Sequence, residues 1–179
     1  AGSSKVALSA AAVAFLTGKT ALAQTMGGPM ASDVSILNVA LVLEHEAINA
    51  YQLGAQSGLL QKPVLDVAVK FQSDHKGHRD ALIATIQKMG GKPAEERKLD
   101  DYAKGLKADM LKSQADVLDL AARLELGATN AYLGVIPSFK DPQLAKIAGR
   151  LAADETMHWT ILNQALGRPM MAEALPFGA

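Results

Sequence analysis

The feature of this sequence that most restricts its fold is an internal repeat. Leu43-Glu44 and Asn49-Ala50-Tyr51 recur as Leu124-Glu125 and Asn130-Ala131-Tyr132 at an offset of 81, and His75 and His78 fall on Glu155 and His158 at an offset of 80. Asp74 falls on Asp154 beside them. Two copies of one helix pair related in this way make a pseudo-twofold bundle.

Helix signals divide the chain accordingly. Ser32-Asp33 offers a cap for a first helix running to about Ser57, where Gly58 stops it. Pro63 suits the first turn of a second helix, which runs to about Met89 and ends at Gly90-Gly91. The short loop between them makes the two antiparallel. Lys92 to Lys112 is charged and broken by Pro93, with a short helix expected over Leu99 to Leu106, and forms the long crossover. Ser113 with Asp116 resembles a capping box and opens a third helix reaching Val135; Asp141-Pro142 opens a fourth, which Gly167 and Pro169 close. At 179 residues the chain is sized for one domain, here over residues 31–167, with a tail over 168–179. The expected fold is all-α, an antiparallel four-helix bundle.

Phase shows which polar residues this bundle buries. Core positions recur at spacings of three and four. Leu37, Leu41, Glu44, Ile48 and Tyr51 follow that ladder on the first helix, and Leu118, Ala122, Glu125, Thr129 and Tyr132 repeat it on the third. The second helix gives Val64, Ala68, Phe71, His75, His78 and Leu82; the fourth gives Leu144, Ala148, Leu151, Glu155, His158 and Leu162. Glu44, His75, His78, Glu125, Glu155 and His158 therefore share one interior layer. His45 and Glu46 rotate off the stripe and read as interhelical or exposed. Asp74, about 100° around the helix from His75, reads as a residue behind the layer or at the surface. Tyr51 and Tyr132 read as core residues with a hydrogen bond.

An ionised carboxylate in an apolar core costs several kcal/mol unless its charge is compensated, and three together also repel. A metal ion supplies the compensation; the bland alternative is a neutral hydrogen-bond network. The sequence has no cysteine, so ligands come from His, Asp and Glu. Oxygen and imidazole ligands favour iron, manganese or zinc over copper(I). A formal net charge of +0 gives no field for nucleic acid.

This layout resembles the ferritin-like superfamily over about residues 33 to 167, and more closely its exported ferritin-like domain proteins. The family pattern is Glu, Glu-x-x-His, Glu, Glu-x-x-His, with ions held between four helices. Glu44, His78, Glu125, Glu155 and His158 match it; His75 stands where the family has Glu. The resemblance implies a metal site with iron foremost, in two ions or one, and redox chemistry with oxygen or peroxide. With an imidazole replacing a bridging carboxylate, the expected site is asymmetric.

Val6 to Leu16 is an apolar run, and Ala21-Leu22-Ala23 has the small-x-small form of a signal-peptidase site. Residues 1–30 are thus expected to be an export signal or an additional apolar helix that anchors or docks the chain. As a membrane span, Val6 to Leu22 is 17 residues, at the short end of the roughly 17 to 25 required. Two functions follow as expectations: an exported metal-binding protein, or a metal-free or single-ion accessory subunit of a larger, membrane-associated assembly or homo-oligomer. An iron-storage cage fits less well. Met170-Met171 in the tail reads as a packing or partner contact.

Overall fold

A computed structural model describes residues 29–169 and 171–178. Residues 1–28 of the expected export or anchoring segment over 1–30 lie outside the described residues, as does Met170. The described chain is helical: α1 Pro29–Gln56, α2 Lys62–Lys88, the short α3 Leu99–Gly105, α4 Gln114–Val135 and α5 Pro142–Ala165. None of these helices is long and apolar enough to cross a membrane.

The ends follow local chemistry. Ser113 Oγ accepts the Asp116 N–H at 3.2 Å, and the Asp116 carboxylate accepts the Lys112 N–H at 3.0 Å, so α4 opens with a reciprocal cap. Asp141 accepts the Gln143 N–H at 2.8 Å ahead of Pro142, opening α5. After α2, Gly90 takes φ +76°, its N–H bonding Gln87 O while that of Gly91 bonds Ile86 O. Only a residue free of a Cβ adopts that left-handed step without cost. One boundary differs from the sequence expectation: α1 opens at Pro29, a turn before Ser32-Asp33. Proline presets the backbone of a first helical turn, and Asp33, buried within the helix, instead reaches the Lys140 N–H at 3.5 Å.

α1 packs antiparallel on α2, and α4 on α5, the two pairs facing each other. The core has two apolar ends. One gathers Leu37, Leu41, Leu82, Ile86, Tyr132 and Leu144, with Ile136 and Phe139 packed against them. The other gathers Tyr51, Phe71, Leu118, Ala122 and Leu162. Between them lies the polar layer. The crossover is held outside the bundle by Tyr102 and Leu106 on Ala50 and Leu120. It covers His45, which is 4% exposed, while Glu46, 7% exposed, lines the gap between α1 and α4, the interhelical placement its phase allows. His45 Nε2 lies 3.2 Å from Ala94 O, and Asn49 donates to both His45 O and Glu96. The crossover covers the outer face of α1.

Candidate metal centre

Each helix of the bundle delivers its polar residues to one level. Glu44 comes from α1, His75 and His78 from α2, Glu125 from α4, and Glu155 and His158 from α5. Glu44, His75, Glu125 and Glu155 are each at most 1% exposed. The structure brings all six together as two overlapping groups of four, Glu44, His75, His78 and Glu155, and His75, Glu125, Glu155 and His158. Within each group the ligand atoms lie within 4.8 Å of one another. His75 and Glu155 belong to both.

His78 and His158 are placed alike by the repeat. The Nδ1 of His78 faces Glu155 at 3.2 Å and Glu44 at 3.6 Å. That of His158 faces Glu155 at 3.2 Å and Glu125 at 3.4 Å. Their outer nitrogens meet carboxylates of the opposite half: His78 Nε2 lies 3.2 Å from Asp154, and His158 Nε2 3.4 Å from Asp74. A carboxylate behind an imidazole fixes its tautomer and turns the other nitrogen inward as a ligand. The tyrosines cross over in the same way, Tyr51 donating to Glu125 and Tyr132 to Glu44. The Phe71 ring stacks on His158 at 4.0 Å between centroids.

Position 75 breaks the symmetry. The Nδ1 of His75 is 2.8 Å from Glu44, and its Nε2 is 3.2 Å from Glu125. An imidazolium so placed donates to both carboxylates, which a glutamate at this position cannot do.

Charge follows that geometry. Burial pushes the Glu44 carboxyl up, but the imidazoles of His75 and His78 outweigh it and hold it at about 2 against an ordinary 4.5. Glu125 is likewise held well below its ordinary value: burial opposes this, and His75 and His158 prevail. Glu155 goes the other way, to about 7, because burial and the neighbouring Glu125 and Glu44 charges exceed the pull of His75 and His158. Burial lowers His78 and His158, yet their carboxylates raise them to about 10 and about 9. His75 also rises, against its own burial, through Glu125 and Glu155. The protonated cluster is thus a network of imidazolium and carboxylate.

That network is incompletely bonded. His78 Nδ1, His158 Nδ1, Glu125 Oε2 and both Glu155 oxygens are buried without a hydrogen-bond partner, although the two Nδ1 atoms stand 3.2 Å from the Glu155 oxygens. Buried polar atoms seldom go unpaired. Atoms that converge on shared space without aligning on one another suit a cation at their centre, and an oxygen and imidazole donor set fits iron, manganese or zinc. A chamber of about 30 Å³ reaches His75 and Glu125 between α1 and α4, past Glu46 and Gly127. It has room for a water-sized guest.

A family model described as a ferritin-like domain matches residues 32–168. The chain belongs to the ferritin-like domain family. A similar solved structure is that of a conserved hypothetical protein from Mycobacterium tuberculosis, 25% identical, with a TM-score of 0.62 over 80% of this chain and 96% of that one. No curated protein matches this sequence. For a ferritin-like domain the helix order and the layer of Glu and His are as the resemblance implies, with His75 as the departure. Of the residues outside the six, Asp74 does stand behind the layer, as its phase allowed. The phase of a single helix does not show the role of Asp154; its pairing with Asp74 in the repeat is the signal for it.

Proposed function

We propose that this ferritin-like protein binds metal at the six-residue layer, with iron foremost and manganese or zinc as alternatives. The observation that carries the reading is the pair of inward, unbonded Nδ1 atoms of His78 and His158, both 3.2 Å from Glu155, each backed by an aspartate of the other half. Glu44, Glu125 and Glu155 would supply the carboxylate ligands. Bound iron or manganese would supply redox chemistry toward oxygen or peroxide. The chain's own contribution is positional. Asp74 and Asp154 orient the imidazoles, Tyr51 and Tyr132 hold Glu125 and Glu44, and burial keeps bulk water away. The chamber past Gly127 restricts what approaches to small molecules. The apolar run and the Ala21-Leu22-Ala23 pattern support an exported protein.

Metal analysis of the purified chain tests this reading. At least one ion per chain, lost in His158→Ala, is the expected result. Less than one ion, unchanged by that substitution, contradicts it.

One observation favours a second reading, an accessory subunit whose layer holds no metal or a single ion. His75 bonds Glu44 and Glu125 through its two nitrogens and so brings its own positive charge to the place where an ion would sit. On this reading the bundle is a scaffold, and association of the full chain with a partner or a membrane, lost on removal of residues 1–28, is its test.

A further inference from the structure

The pseudo-twofold makes the two ends of the bundle copies of each other, so each end is an internal control for the other. One end is filled. There Ile136 and Phe139, in the link between α4 and α5, pack against the core together with Ile147 and Leu144. At the repeat-related end the counterparts are smaller. Ala55 and Gly58 stand for Ile136 and Phe139 at the offset of 81, and Val67 and Val64 stand for Ile147 and Leu144 at the offset of 80. That end holds a cavity of about 240 Å³ under the link between α1 and α2, which Leu60, packed against the core from that link, does not fill.

Its walls restrict the guest. Of the sixteen lining residues, only Tyr51 carries a polar side-chain atom, and its hydroxyl is committed to Glu125. A charged or hydrogen-bonding group would lose its water there without a replacement. An apolar cavity of roughly 150 Å³ already takes up benzene, so this one has room for a larger hydrocarbon. Val67 and Ile161, 36% and 44% exposed, stand at its mouth and give access from solvent.

We propose that this cavity is a binding site for an uncharged hydrocarbon group, either a fused aromatic ring or the end of an aliphatic chain. Its occupant lies against Tyr51, one side chain from Glu125. Binding depends on the apolar walls and does not require a metal in the layer.

Naphthalene, titrated into the full chain and followed by NMR, tests the site, with decanoate as a second probe that separates a free ring from an acyl tail. Saturable shifts confined to Tyr51, Val64, Leu118 and Leu162 are expected from at least one probe. Ala121→Phe, which fills the cavity, should weaken binding at least tenfold. Val67→Phe, at a lining residue that is 36% exposed, should do the same with less disturbance to the interior if Ala121→Phe unfolds the chain. Shifts that never saturate or that scatter over the surface, or unchanged affinity in a folded variant of either kind, would overturn the proposal.

Discussion

Asp74 of one helix pair stands behind His158 of the other, its Oδ2 3.4 Å from the imidazole Nε2. The repeat supplies the mirror contact between Asp154 and His78, at 3.2 Å. Outer partners of ligating histidines typically change metal affinity by about 10- to 100-fold. Asp74→Asn and Asp154→Asn are each expected to weaken metal binding within that range, as read by competition with a chromogenic chelator. Asp154 is the more exposed of the two side chains, 46% against 30%, so its substitution should have the smaller effect.

The pH dependence has opposite signs with and without metal. His78 and His158 rise to about 10 and 9 from an ordinary 6.5, so their contribution to the metal-free fold is complete below pH 6.5 and is lost as pH climbs toward 9 to 10. Glu44, lowered to about 2 from 4.5, contributes above pH 4.5 and loses that contribution as pH falls toward 2. Glu155, raised to about 7, penalises the fold as it ionises above pH 4.5. Metal-free protein should therefore melt highest just above pH 4.5, lose stability toward pH 7 as Glu155 ionises, and lose more toward pH 9 to 10. Imidazolium cannot ligate, so metal affinity should rise over the alkaline interval, with protons released on binding. Calorimetric melting and titration in buffers of different ionisation enthalpy check both.

His75→Glu restores the family pattern and removes the imidazolium between Glu44 and Glu125. Breaking a buried ion pair costs about 3 to 5 kcal/mol; a loss of that order is expected for the metal-free variant in denaturant unfolding. Added metal should reverse it, with affinity at least tenfold above that of the unsubstituted chain. A variant equally stable without metal would show that His75 is not the internal counterion.

The hydroxyls of Tyr51 and Tyr132 each donate to a buried carboxylate of the other half. Hydrogen bonds to charged groups contribute about 1.5 to 3 kcal/mol. Tyr132→Phe is expected to cost that much in metal-free protein, more than it costs in the loaded form, where an ion also holds Glu44. Urea denaturation in both states measures the difference.

Much of this was legible in the residues. The spacing of Glu44, His75, His78, Glu125, Glu155 and His158 places them on apolar stripes, and the repeat puts them at one level. Helical phase is a property of one helix, which is why it served there. It served less well for His45, whose burial comes from a crossover packing outside the bundle. The pairing of Asp74 with His158 depends on how α2 and α5 are rotated against each other, which no single stripe encodes. The hollow end required knowing that Ile136 and Phe139 pack against the core at one end while Leu60 leaves space beneath it at the other. The early start of α1 lay in Pro29, a signal as local as the Ser32-Asp33 cap preferred to it.

On this reading an ion sits among these six residues on the Nδ1 side of both histidines. Anomalous diffraction at the zinc or iron edge, from crystals grown with that metal, tests it most directly. A peak is expected at about 2.0 to 2.2 Å from Nδ1 of His78 or His158 and from an oxygen of Glu155. No peak in the layer, or one bound through Nε2 between His158 and Asp74, would contradict it.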